Sequence, residues 1–183
     1  MKNLIGAVAT VVLLLGLVGC NLLGAGDSVL PLMKAEGWRD DLGPGPPPFA
    51  IVEIAFDRET AERAWVENTP EDLPRRTGAP EEPGIYGDLA QVDFDTQAAV
   101  VWSSGESSTC PGWLAGIDVT DQGTVEIQTE DTAGFFGSCT DDFGFYRMVV
   151  VVERGRLPKP DELPTEDVVG ISSGRVTTYP VDR

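Results

Sequence analysis

The chain contains no histidine in its 183 residues. Without an imidazole, nothing can take a proton from a serine or cysteine nucleophile near neutral pH, which excludes Ser-His-Asp and Cys-His relays. Histidine-bearing zinc sites go with them, and three cysteines are too few for a site of four thiolates. Lysine is nearly missing as well: only Lys2, Lys34 and Lys159 occur. Basic residues number 13 against 30 acids, for a net charge of −17. Repulsion at that level disfavours nucleic acid and bare anionic membrane as partners, and it keeps the molecule soluble. There is no Cys-x-x-Cys pair, no internal repeat and no low-complexity segment beyond one proline run. What remains is a hydrophobic share of 42%, ordinary for a folded protein, in a length that suits one domain plus extras.

The N-terminus reads as an address. Met1-Lys2-Asn3 gives a short basic start, and Leu4 to Val18 follows as an apolar run with small residues mixed in. The run is short for a membrane-spanning helix and has the layout of a secretory signal peptide. Its ending, Leu17-Val18-Gly19-Cys20, resembles the lipobox of bacterial lipoprotein signal peptides. The resemblance implies that residues 1–19 are removed as a signal peptide and that the Cys20 thiol receives diacylglycerol. Membrane lipid then becomes a partner through acylated Cys20. The protein is expected at the cell membrane or outer membrane, facing outside the cytoplasm. Two acyl chains make such an attachment stable where one binds marginally. Loss of Lys2 takes the net charge from −17 to −18. With Asn21, rather than Asp, at the next position, the resemblance implies the outer membrane if the source has two. The alternatives are an ordinary signal peptide with an incidental cysteine, or a short anchor helix.

Residues 20–49 read as the lipidated cysteine and a Pro/Gly-rich tether. Gly43-Pro44-Gly45-Pro46-Pro47-Pro48 lacks amide donors at four positions and is expected as a stiff extended spacer. Within the tether, Val29 to Asp41 carries Leu30, Leu32, Met33 and Trp38, and is either a short element packed on the domain or a linker.

Residues 50–183 are expected as one disulfide-stapled domain of α+β class, mainly β. The predicted form is a small antiparallel sheet or sandwich with one N-terminal helix packed on it. Phe49 to Phe56 alternates as a half-buried strand with Glu53 outward. Asp57 is placed to cap a helix over Arg58 to Glu67, with Ala61, Ala64 and Trp65 on one face. Residues 68–88 form a polar loop. Three apolar runs, Ala98 to Trp102, Trp113 to Val119 and Met148 to Val152, are expected to share a sheet. The last of these is buried on both faces. In the second, Trp113, Ala115, Ile117 and Val119 are expected on one face. Asp121-Gln122-Gly123 reads as a hairpin turn leading to Val125 and Ile127 inward, Glu126 and Gln128 outward. Ser103 to Gly112 and residues 131–144 are loops, and Val168 to Ile171 with Arg175 to Tyr179 make a last hairpin.

Once Cys20 is taken by lipid, Cys110 and Cys139 have only each other, and an exported chain meets oxidising conditions. Closing a loop of about 30 residues is worth roughly 3–4 kcal/mol in the chain-entropy account. The bond is expected to hold two loops at one end of the sheet. Around them lies a large aromatic share, including Trp102, Trp113, Phe135, Phe136, Phe143, Phe145 and Tyr146. Core and loop packing accounts for most of these. Trp113, Phe135, Phe136, Phe143 and Tyr146 are the candidate binding surface, since rigid aromatics dominate contact energy at little entropic cost.

Signals for chemistry are weak. Asp141-Asp142, with Asp121, Glu130 and Asp131, would offer oxygens to calcium, but no Asp-x-Asn-x-Asp-Gly run accompanies them. Paired acids for a hydrolase carry little information among 30 acids. Ser103, Ser104, Ser107 and Ser108 have no base in view and read as turn residues. No catalytic residue, metal ligand or cofactor is assigned. An enzyme would require polar groups converging from Asp141, Asp142, Ser107 and Arg147.

One further resemblance covers residues 50–160. The helix with Trp65, Leu73-Pro74, Asp93-Phe94 ahead of the strand Ala98 to Trp102, Gly105, and Leu157-Pro158 is similar to the C-terminal domain of PrcB-type protease-complex subunits and related lipoproteins. Where that family tends to have Thr-Gly-Gly, this chain has Thr109-Cys110-Pro111-Gly112, which puts any shared loop contact in doubt. The resemblance implies an accessory or stabilising role beside an exported protease. The expected function is therefore a non-catalytic, lipid-anchored extracytoplasmic protein. It would bind or stabilise an exported protein or peptide partner through the loops joined by Cys110 and Cys139. The alternative is a structural envelope lipoprotein without a dedicated ligand, and third a carboxylate-based hydrolase or calcium-binding domain.

Overall fold

Valine-rich stretches spaced along the chain pair into one sheet with both faces covered. The computed structural model describes residues 29–37, 50–120, 125–132, 138–163 and 174–179. In chain order the elements are β1 (Val29–Glu36), β2 (Ala50–Ala55), α1 (Arg58–Asn68), β3 (Gly84–Ile85), β4 (Gln97–Glu106), β5 (Gly112–Val119), β6 (Val125–Asp131), β7 (Gly144–Glu153) and β8 (Gly174–Thr178). Six strands form the main sheet in the order β3-β1-β7-β4-β2-β8, and β5 pairs with β6 in a separate antiparallel ribbon. All main-sheet neighbours run antiparallel except β2 and β8, which are parallel. The class is α+β, mainly β, as the sequence predicts.

Period-two alternation sends the residues of each strand to opposite faces. On one face Val52, Ile54, Val100, Trp102, Met148 and Val150 pack against Leu114, Ile117, Val125 and Ile127 of the β5–β6 ribbon. On the other, Ala55, Val101, Val149 and Val151 join Leu32, Met33 and the helical Ala61 and Ala64. The molecule is thus layered as ribbon, sheet and helix. The helix starts as expected: the Asp57 carboxylate accepts from the Thr60 amide at 2.8 Å. It ends at Asn68, ahead of Pro70.

Several expectations are corrected. Val29–Glu36, placed within the tether as either a short packed element or a linker, is the packed element, an interior strand between β3 and β7, so the domain does not start at residue 50. Pro31 lacks an amide hydrogen, and the strand accommodates it at a register shift between Pro31 and Met33, so Leu32 and Met33 are both buried. That irregularity hides the strand from any alternation test. β2 is buried along its whole length, Glu53 included, because α1 and the ribbon cover its two faces. Of the three apolar runs, two pair directly as β4 and β7, while the Trp113 to Val119 run belongs to the ribbon instead. A register shift between Leu114 and Gly116 rephases β5, burying Leu114 and Ile117 and leaving Trp113 half-buried. β4 runs on through Ser103 and Ser104, both buried, so these are strand residues and not a turn. β8 pairs with β2. Asp121-Gln122-Gly123 and Val168 to Ile171 lie outside the described residues, although β5 and β6 do pair across the former, Val119 opposite Val125.

Candidate functional site

Four strand ends meet at one end of the molecule. β4 finishes at Glu106 and β7 begins at Gly144, its register partner; β5 begins at Gly112 opposite Asp131, where β6 finishes. The short β4–β5 link and the longer β6–β7 link therefore face each other. Cys110 and Cys139, one in each, are joined in a disulfide with Cα atoms 5.5 Å apart. The expected staple is present. A polar ladder runs beside it: Thr140 N–H donates to Thr109 Oγ1 at 2.9 Å, and the Ser107 and Thr140 hydroxyls are 2.9 Å apart. Asp142 closes the ladder, accepting from Ser107 at 3.3 Å and from Thr140. Hydrogen bonds from Ser108, Thr140 and Ser107 hold the Asp142 carboxyl below the usual carboxylate range.

Beneath the staple lies a buried ion pair. Lys34 of β1 is fully enclosed, and its Nζ sits 2.6 Å from Glu106 Oε2. The same ammonium donates to Glu81 O at 3.0 Å and Gly112 O at 2.9 Å, so its three N–H groups all have acceptors. Burial pushes the Lys34 pKa down, opposed by the hydrogen bond and the charge of Glu106. The Tyr146 ring centroid lies 4.6 Å from Nζ and adds a cation–π contact. Glu106 Oε2 also accepts from the Gly112 amide at 2.7 Å. Lys34 thus ties β1, the end of β4, the start of β5 and the Glu81 loop to one point.

Above this clamp opens a cavity of about 480 Å³. Its depth is formed by the buried Ser104 and Tyr146 with Glu106, and one side by the Cys110–Cys139 bond. Its rim carries the exposed Phe143, Thr129, Glu130 and Asp131. The Tyr146 phenol, 2% exposed, accepts from Trp102 Nε1 at 3.1 Å, and burial pushes its pKa up to about 12. Phe143 and Phe145 are 56% and 37% exposed and meet edge to face, with ring centroids 5.5 Å apart. Gly105 makes room for Phe143: a Cβ there would collide with the Cζ and Cε atoms of the ring.

The predicted site residues divide accordingly. Cys110, Cys139, Phe143 and Tyr146 come together at the cavity, Tyr146 as a buried wall and not as an exposed contact. Trp113 does not join them; it lines a neighbouring depression with Pro31 and Pro80. Cys20, Phe135 and Phe136 lie outside the described residues. Ser107 and Asp142 meet in the ladder, but Arg147 turns away, donating to the carbonyls of Asn68, Glu36 and Gly37. Gly37 ends β1 with φ +87°, a left-handed conformation that suits glycine. Among the described residues, no group of three or more Asp, Glu or Cys side chains is arranged to hold a metal ion, and Asp121 lies outside them. Sequence reasoning missed Lys34 and Glu106. The available signal was a single lysine inside the apolar run from Val29 to Ala35, in a chain with only two others.

Comparison with protein-family models, curated proteins and solved structures found no match to this chain.

Proposed function

We propose that the protein is a non-catalytic, lipid-anchored extracytoplasmic module that binds a protein or peptide partner at its disulfide-stapled end. The observation that carries this reading is the cavity bounded by the Cys110–Cys139 bond and rimmed by the exposed Phe143. A concave, mainly apolar site with a few polar groups is the usual form of a binding pocket, and about 480 Å³ lies within the typical range of roughly 300–1,000 Å³. Lys34, the buried base nearest the cavity, has all three N–H groups committed to protein acceptors, which suits a structural clamp better than a proton carrier. An accessory, non-catalytic role is also what the PrcB-type resemblance over residues 50–160 implies. The Thr109-Cys110-Pro111-Gly112 departure falls at the cavity, so the contact made there is this chain's own. Cys20 supplies the anchor, with residues 1–19 removed as the signal peptide, and localises the domain to the membrane surface.

Two measurements test the two halves. Mass spectrometry of the membrane fraction is expected to find Cys20 acylated, and Cys20→Ser is expected to release the protein into the soluble fraction. An unmodified Cys20 ends the anchor reading. A photocrosslinking residue at Phe143, introduced in intact cells, is expected to trap a discrete partner. The same residue at Val66, 75% exposed on the helix layer, is expected to trap none. Equal trapping at both positions would overturn binding at the stapled end.

A further inference from the structure

We infer that the stapled-end cavity receives an arginine side chain of the partner. The inference rests on the proposed binding role and specifies its chemistry. Glu106 lies within the cavity wall and spends only Oε2 on the chain, on Lys34 at 2.6 Å and the Gly112 amide at 2.7 Å. Its Oε1 carries no bond to any described residue, while the side chain is 19% exposed. A carboxylate largely shielded from water in a cavity wall, with one oxygen held and the other unused, is set to accept from an incoming donor. Charge-assisted bonds of that kind are about twice as strong as neutral ones. The clamp fixes the orientation of Glu106 in advance, so the open oxygen loses little freedom when it is used.

The rest of the cavity favours a guanidinium over other donors. Lys34 already neutralises one charge at Glu106, but the rim adds Glu130 and Asp131 with no compensating base among the described lining residues. The local balance is therefore negative, in a chain of net charge −17. Phe143 is 56% exposed at the mouth, and arginine packs on aromatic rings while its fork of donors reaches several acceptors at once. The disulfide and Tyr146 supply apolar surface for the aliphatic stem. An ammonium would be more strongly hydrated and would gain less from the ring. An anionic or purely aliphatic side chain would meet repulsion or leave the open oxygen unpaired.

The test titrates the full-length protein in detergent with short acetylated, amidated glycine peptides bearing one central arginine, citrulline, lysine or norleucine, followed by ¹H–¹⁵N NMR. The arginine peptide is expected to shift the amides of Gly105, Gly112, Thr129 and Phe143 saturably. Citrulline, which keeps the shape and loses the charge, is expected to bind at least about tenfold more weakly, a difference of about 1.4 kcal/mol. Glu106→Gln is expected to weaken arginine binding similarly. Because that change also touches Lys34, Glu130→Gln with Asp131→Asn and Phe143→Ala serve as variants that leave the clamp whole; each is expected to weaken arginine binding. Equal binding of arginine and citrulline, tighter binding of norleucine, or no saturable shift with arginine overturns this inference. Those outcomes leave partner trapping at Phe143 untouched, whereas failed trapping there sinks the binding role itself.

Discussion

Lys34 shows how one residue can decide a local structure. Its ammonium is shut away from water and satisfied by Glu106, Glu81 O and Gly112 O. Removing one partner of a buried pair leaves the other charge uncompensated, which typically costs about 3–5 kcal/mol. Glu106 keeps some solvent access, so Lys34→Met is expected near the lower end, about 3 kcal/mol, read from the midpoint and slope of urea unfolding. Glu106→Gln added to it is expected to recover part of the loss. A shift within about 0.5 kcal/mol, typical of surface changes, would show that the pair is solvent-screened. Asp142 makes the opposite kind of statement, about pH. Its folded pKa lies below the unfolded one because Ser108, Thr140 and Ser107 donate to its carboxylate. The ladder's contribution is therefore fully present above the ordinary carboxylate pKa of about 3.9, and is lost as pH falls through the depressed folded value. Carboxyl-carbon NMR is expected to show Asp142 titrating below the ordinary carboxylate range, and Thr140→Ala to move it back toward that range. Titration of Asp142 at the ordinary carboxylate value, unmoved by Thr140→Ala, would remove the ladder.

Elements that obey simple periodicity were legible, and those broken by a bulge were not. α1 announced itself through Asp57 and the spacing of Ala61 and Ala64. β7 announced itself through Met148 to Val152, whose alternate residues enter the two opposite cores. β6 followed its predicted alternation, Val125 and Ile127 buried, Glu126 and Gln128 exposed. β1 was hidden because Pro31 and its register shift place Leu32 and Met33 both inside. β5 was misphased by the shift after Leu114 for the same reason. The staple could be deduced from cysteine count, but Glu106 could not, since nothing local distinguishes it among 30 acids. Only the pairing of β4 with β7 and the placement of β1 bring it to Lys34 and the cavity. The staple acts between elements, not within them. With 29 residues of separation between its cysteines, its loss through Cys110→Ala and Cys139→Ala is expected to cost up to about 3–4 kcal/mol. Hydrogen exchange is expected to quicken at Thr132 and Thr140 while Val100 and Val150 stay protected. Uniform quickening across the sheet would mean that the bond supports the whole fold and not its end.

At the scale of the molecule, β1 changes where the folded unit starts. Composition places the boundary at the proline run, because Gly43 to Pro48 looks like the end of a spacer. Sheet order places it no later than Val29, since β1 hydrogen-bonds β3 on one side and β7 on the other. A chain cut at Ala50 would lose Leu32, Met33 and Ala35 from the helix-side core, and would leave β7 with an open edge of unpaired backbone. It would also strand Glu106 without Lys34. Core truncations of this kind remove several buried side chains at about 1.5–3 kcal/mol each, against a total stability of only about 5–15 kcal/mol. Residues 50–183 are therefore expected not to fold, whereas residues 27–183 are expected to unfold cooperatively. Far-UV circular dichroism with urea titration of both chains checks this. A cooperative transition in residues 50–183 at the same midpoint would demote β1 to a strand laid on a finished domain. If the longer chain alone folds, the segment that would follow the proposed Cys20 anchor is itself part of the sheet. β1 runs from the far end of the sheet at Val29 toward the stapled end at Glu36, so its length would add to any spacing from that anchor, and the proline run would be a crossing between β1 and β2, not the stalk.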